Sequence, residues 1–361
     1  MNDVAQRRRW IAVIVAVLAS LGCLWLGWDA PRQALLSWLA AWVFFLGPAL
    51  GSVGLLMVHR LAGNGSWIRE LRAPLLAATG VLPLLAILLL PILIGAAHLF
   101  PWTQASVPGA PHLAQQRWYL NLPFFWVRAV VCLGLWLWLA QGLRRRLGDP
   151  RRDASLVRFV AAGLIVYLLT ISVASVDWIM SLMPAWHSSV FGLIVATGQL
   201  LAAAALAVCC QVGSDTTARQ RGDRGSVLLV LVLAWSYLAF MDYLTVWIAD
   251  LPTETVWYLP RLHTGWRWLG AWLVVFHLVV PFALLLWRRA KQDRRWLRGV
   301  AGLLLLAQAV YAVWLVLPSL RPHGFALSWG DALAWLGIGG LCWALFDLRL
   351  AQARDAAEAT P

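Results

Sequence analysis

The sequence predicts an all-α polytopic membrane protein, and three observations predict it. Of the 361 residues, 61% are hydrophobic and only 12% charged. A soluble domain of this size carries about 25% charged and 45–50% apolar residues. Mean hydropathy is +0.74. Ten mainly apolar runs approach the ~20 residues that a helix needs to cross the bilayer core. They lie at approximately 10–28, 35–58, 75–100, 122–143, 156–176, 189–210, 226–249, 266–287, 297–317 and 328–348. The alternating segments of a transmembrane β-barrel are absent. The same composition excludes a soluble globule, a disordered chain, a disulfide scaffold and a coiled coil.

Each run has its own signals. The first follows Arg7–Arg9 and imitates a secretory signal, but no small-x-small cleavage site follows and the apolar stretch continues through Leu24–Gly27. A lipoprotein reading at Cys23 fails because Ser20 stands where an aliphatic residue is needed. The segment therefore reads as a retained helix. The third run carries Pro83 and Pro91, and the eighth carries Pro281. The fourth and eighth runs each lead into a loop with six positive charges. The 25 Trp suit the two membrane–water boundaries.

Basic residues predict the orientation, because Lys and Arg accumulate in cytoplasmic loops. With an internal N-terminus, all but six of the 29 basic residues fall on the inner side. The six are Arg32, Arg117, Arg128, Arg261, Arg267 and Arg321. The expected topology has ten spans in one integral membrane domain, 1–361, with both termini cytoplasmic. A net charge of +13 then reflects orientation and contact with anionic lipid heads, not nucleic acid.

Cysteines and histidines give no redox centre. Cys23, Cys132, Cys209, Cys210 and Cys342 all fall within runs, with no metal or haem-attachment spacing. Two histidine pairs have a haem-like separation. His98 and His112 are separated by Pro101, Pro108 and Pro111 and cannot share a helix. His263 and His277 straddle the start of the eighth run, with Gly265 between them. Bound haem is not expected.

An ionisable group inside a span is a functional candidate, and three qualify: Arg128, Asp242 and His277. At 1.5 Å per residue, Arg128 and Asp242 both lie roughly 10 Å below the outer surface. Equal depth and opposite charge suggest an ion pair, either a structural tie or the start of a proton path. His277 lies deeper, and Gln199, Gln308 and Tyr167 add polar groups near the midplane. His59 and Asp347 at inner helix ends, and Asp331 at an outer one, are expected to be solvated.

A short repeat links two parts of the chain. Trp118-Tyr119-Leu120 precedes the fourth run and Trp257-Tyr258-Leu259 precedes the eighth. Runs two to five (about 35–176) and six to nine (about 189–317) are candidate related halves.

Two outer connections are richer than linkers require. One runs Ser175-Val-Asp177-Trp178-Ile-Met-Ser181-Leu-Met-Pro184-Ala-Trp186-His187-Ser188-Ser189-Val-Phe191-Gly192. The other runs from Tyr243 through Trp247, Asp250, Leu251, Pro252, Glu254 and Trp257-Tyr258 to Arg261. Together they resemble the ActF family, the second NrfD-like membrane subunit (quinone-binding subunit 2) of alternative complex III. That complex is a bacterial quinol:cytochrome c oxidoreductase of the inner membrane. About forty residues carry the motif.

The resemblance implies two four-helix bundles plus two extra helices, and a subunit that supports quinol oxidation without its own redox cofactor. It implies a second NrfD-like chain, an iron–sulfur subunit and haem-bearing cytochrome c subunits as partners, with quinol as a ligand. It nominates Asp177, Trp178, His187, Asp250 and Glu254 for the quinone- or partner-facing outer loops; Arg128, Asp242 and His277 rest on burial alone. The chain departs from the family in its short length, and in carboxylates at Asp242 and Asp250 where the pattern has amides. A proton-coupled transporter and a passive scaffold subunit are the alternatives. The transporter's signature, interrupted helices at matching places in the two halves, is poor here because Pro83 and Pro91 have no counterparts on the seventh run.

Overall fold

A computed structural model describes residues 3–63, 66–68, 70–104, 113–147, 153–211 and 217–358. Ten helices are long and apolar enough to cross a membrane, and no strand occurs among the described residues. They are α1 (Gln6–Leu26), α2 (Pro31–Leu61), α3 (Arg72–Ile94), α4 (Leu122–Leu147), α5 (Ala154–Leu182), α6 (Phe191–Cys209), α7 (Ala218–Ala249), α8 (Trp266–Leu286), α9 (Arg294–Leu320) and α10 (Trp329–Ala353). The all-α polytopic fold is as predicted, span for span.

Nothing in the hydropathy separates central helices from peripheral ones, since lipid is as apolar as a helix interface and packing decides. The structure puts α2 and α6 at the centre, with 78% of each apolar window buried. α1 is peripheral, with 17% buried. The central pair is close because small residues meet there. A Cβ on Gly51 would clash with the carbonyl oxygen of Gln199, and one on Gly47 would lie 3.8 Å from Ala202 Cβ. α1 is held mainly by α10, where Gly340 leaves room for Ala16 and Gly337 for Ser20.

α3 is broken into the short helices Arg72–Thr79, Leu82–Leu88 and Leu90–Ile94. Pro83 and Pro91 lack the N–H that a continuous ladder needs, and a lipid environment leaves no water to satisfy freed carbonyls. Tryptophans from the flanking helices supply donors. Trp38 and Trp42 of α2 donate to the carbonyls of Leu88 (2.7 Å) and Leu85 (2.8 Å), and Trp126 of α4 donates to that of Leu93 (3.0 Å). Part of the Trp set is therefore internal and does not anchor a boundary. Trp38, Trp42, Trp136, Trp178, Trp186, Trp257 and Trp266 are all buried. Trp10, Trp28, Trp118, Trp268 and Trp329 are among the exposed ones.

α8 carries a π-helical turn at Val274–Val279, a feature that re-aims side chains and recurs at functional sites. α7 is continuous from a Thr217–Gln220 capping box to a left-handed C-cap at Asp250 (φ 46°). The connections between α3 and α4, α5 and α6, α7 and α8, and α9 and α10 lie at one end of the bundle, here termed the loop-rich end; the opposite, basic end carries Arg144–Arg146, residues 288–298 and the α2–α3 connection.

Candidate functional site

At the loop-rich end Arg128 projects from α4 towards α5. Its Nε and Nη2 donate to the two carboxylate oxygens of Asp177 (2.7 and 2.8 Å), and Nη1 donates to the carbonyl of Tyr119 (2.8 Å). The guanidinium also lies over the rings of Tyr119 (3.8 Å) and Phe124 (4.4 Å). Both partners are buried, and the bidentate fork is the geometry that best offsets desolvation. Burial, with the Asp177 charge added, pushes the Tyr119 phenol up.

The expected Arg128–Asp242 ion pair is therefore not formed. Every nitrogen of Arg128 is engaged elsewhere, and Asp242 has other partners. Similar distance from the helix ends is not enough, because a pair also needs two helices facing each other, and Arg128 of α4 faces Asp177 of α5.

Asp242 is buried on α7. Its carboxylate accepts from Ser188 Oγ (2.5 Å) and from the Tyr258 phenol (2.7 Å). Both donors come from the rich connections, one from each, so the two loops close over this carboxylate. The loops are also stacked: Trp186 lies 4.2 Å from Trp257 at an interplanar angle of 14°. On Trp257's ring sits Arg261 (3.5 Å). Burial first, then the charge of Asp242, pushes the Tyr258 phenol up, which keeps it a hydrogen-bond donor.

Arg261 is fully buried, and none of its partners among the described residues is a carboxylate. It donates to the carbonyls of Trp257 (2.7 Å), Leu315 (2.7 Å) and Trp314 (3.2 Å), and to Ser319 Oγ (3.0 Å). Burial lowers it to about 9, so it remains a cation at neutral pH. Sequence reasoning placed Arg261 on an outer loop and missed Ser188, Tyr258 and Arg261 as one constellation. The Trp257-Tyr258 dipeptide was the available signal.

Below Asp242 the polar groups continue. Trp235, seven residues earlier on α7 and thus on the same face about 10 Å deeper, lies 4.0 Å from the His277 ring. The π-turn aims His277 inward, where it is fully buried, and its Nε2 lies 3.1 Å from the Gln308 side-chain amide. His277 Nδ1 has no hydrogen-bond partner. Tyr311 packs edge-on against Trp235 (4.8 Å) and, with Gln199 and Gln308, lines a cavity of about 30 Å³, enough for a water. Tyr167 donates to Gln199 Oε1 (3.0 Å) on its far side. The predicted midplane polar groups are thus brought together as two hydrogen-bonded pairs facing one small cavity.

The remaining nominated residues disperse. Trp178 is buried between Trp42 (4.9 Å) and Trp136 (5.7 Å). His187 is exposed, 2.9 Å from Gln116 Nε2. Asp250 is exposed as the C-cap of α7, and Glu254 is half-buried in the one-turn helix Pro252–Thr255. The haem-spaced His112 lies outside the described residues. Two residues expected to be solvated are paired. Asp331 is buried and accepts from Ser37 (2.6 Å) and Arg321 (2.7 and 3.0 Å), while Asp347 accepts from Arg9 (2.6 Å). In the first case the arginine caps the end of α9, and in the second it comes from α1.

Two comparisons with known proteins give no family: no family model matches the chain, and no curated protein matches it.

Proposed function

We propose that this chain is a membrane subunit of a respiratory quinol:electron-acceptor oxidoreductase of the alternative complex III type, resident in a bacterial inner membrane with both termini cytoplasmic. In this reading it carries no redox cofactor and serves quinol oxidation by accepting and conducting protons. Electrons leave through partner subunits: an iron–sulfur protein and cytochromes c, with a second NrfD-like chain alongside. The resemblance of the two outer connections to ActF supports the assignment, and the bias of basic residues to one end supports the orientation.

The observation that carries the proton-handling role is the environment of Asp242. Oxidising a quinol releases two protons and two electrons, so the site needs a proton acceptor. Among the described residues Asp242 is bound by two hydroxyl donors, Ser188 and Tyr258, and by no cation, so a proton taken up there would break no ion pair. Arg128–Asp177 cannot do so and acts as a structural tie. His277, Gln308 and the cavity beside them lie below Asp242 as the next polar groups inward.

Purification of the tagged chain in gentle detergent, with mass spectrometry and a haem spectrum of the eluate, tests the assignment. Recovery with a multihaem cytochrome, an iron–sulfur subunit and a second polytopic chain is expected; a solitary, colourless protein overturns it. In the assembled complex Asp242→Asn should slow quinol oxidation about 10²-fold or more, the scale of a lost acid–base group, with partner recovery unchanged. Unaltered turnover would reduce Asp242 to a packing residue.

A further inference from the structure

A second site lies at the basic end, away from everything described above. Between α8 and α9 runs a groove of about 270 Å³ lined by Leu284, Arg295, Trp296, Gly299, Val300 and Leu303. Local sequence makes it. α8 ends at Leu286, Trp287 is extended, Arg288–Gln292 forms a short helix, and Asp293 caps α9. Gly299 leaves the floor open, since a Cβ there would meet nothing within 4 Å.

The mouth of this groove is cationic. Residues 288–298 hold Arg288, Arg289, Lys291, Arg294, Arg295 and Arg298 against the single carboxylate of Asp293. That carboxylate is committed to the helix start, accepting from the N–H of Arg295 (2.8 Å) and Trp296 (3.1 Å). Those two bonds hold it below its ordinary range. Lys291 donates to Ser226 (3.1 Å) and Arg298 to the Gln211 carbonyl. Arg288, Arg289 and Arg295 are exposed, and their guanidinium groups donate to no other described residue. Trp287 and Trp296, each about half exposed, mark this level as the membrane–water boundary.

We infer that the groove is a binding site for an anionic phospholipid. One acyl chain runs along Leu284, Gly299, Val300 and Leu303, and the headgroup phosphate meets Arg295, with Arg288 and Arg289 beside it. The two halves of the site select together: an apolar slot continuous with the bilayer takes an acyl chain, and exposed guanidinium groups at its mouth, in excess over the one carboxylate of Asp293, take a phosphate whose net charge is not cancelled by a cationic head. The N-terminus of α9 is not itself the anion site, because Asp293 already occupies it. The inference rests on the membrane-spanning fold and is independent of the respiratory reading.

Native mass spectrometry of the purified full-length chain, with equal dioleoyl-phosphatidylglycerol and dioleoyl-phosphatidylcholine added, tests it. The wild type should retain phosphatidylglycerol preferentially. Arg295→Gln should weaken that retention about fivefold, the effect of one basic charge near an anionic headgroup. Gly299→Leu, whose Cβ meets nothing within 4 Å and whose side chain fills the slot without changing a charge, should abolish it. Equal retention of the two lipids overturns the site, as does retention that Gly299→Leu leaves intact, since the attraction would then be diffuse. Circular dichroism of each variant establishes that the helices are intact.

Discussion

At the scale of single residues, what matters is which partner a buried charge finds. Arg128 and Asp177 share two charge-assisted hydrogen bonds, and removing one partner leaves the other charge uncompensated in a dry site. Arg128→Gln or Asp177→Asn should each cost about 3–5 kcal/mol, whereas replacing both with leucine should recover most of that loss. Thermal unfolding of the purified variants in detergent checks this; a double variant no more stable than the worse single one contradicts it. Reversing charges at Arg128 and Asp242 together should rescue nothing, because they are not partners. Sequence marked Arg128 and Asp242 as positions of consequence, since ionisable groups in apolar runs are conspicuous, and Asp177 was nominated only by the resemblance of its loop. It could not pair them, because spacing along the chain carries depth but not azimuth.

Individual helices show a division between what is intrinsic and what is borrowed. The breaks in α3 follow from Pro83 and Pro91 and were visible in the sequence. The remedy, indole donors from Trp38, Trp42 and Trp126, comes from other helices and was not. The π-turn of α8 has no sequence signature comparable to a proline, yet it decides that His277 faces Gln308. Contact between α2 and α6 depends on Gly51, whose missing side chain admits the Gln199 backbone. Gly51→Leu should therefore separate the two central helices and cost at least the ~1–3 kcal/mol of an overpacked core. Gly134→Leu, where a Cβ meets nothing, should be tolerated. The measurement is the yield of monodisperse protein and its unfolding temperature for both variants. Equal behaviour of the two would show that close approach at Gly51 is not required.

For the molecule as a whole, charge distribution and the placement of the rich loops make the two ends different, and the proposed orientation puts the loop-rich end outside. Single cysteines at Asp250 and at Arg289, in a background with the five native cysteines replaced, provide the test. A membrane-impermeant maleimide should label Asp250→Cys in intact spheroplasts and Arg289→Cys only after permeabilisation. The reverse pattern would invert the topology and move the Asp242 constellation to the cytoplasmic side, where the proposed delivery of electrons to external cytochromes would fail. One more tie at the basic end escaped the sequence. Arg224 on α7 is fully buried and donates to Glu70 (3.0 Å) and the Trp67 carbonyl (3.0 Å) in the α2–α3 connection. Both looked like ordinary members of basic or loop segments.

The number of spans, the approximate place of each and the segregation of basic groups to one end were determined by sequence alone, while single limits moved by up to eight residues, as at the start of α7. Each is a one-dimensional property: hydrophobic length against bilayer thickness, and charge against position. The partners of Arg128, Asp242, Asp331 and Arg224, the central place of α2 and α6, and the inward turn of His277 were decided only by tertiary structure. In a membrane the lipid-facing and protein-facing sides of a helix are equally apolar. Hydropathy therefore says that a helix spans, while small residues, broken backbone and buried polar groups decide which helices meet and by which faces.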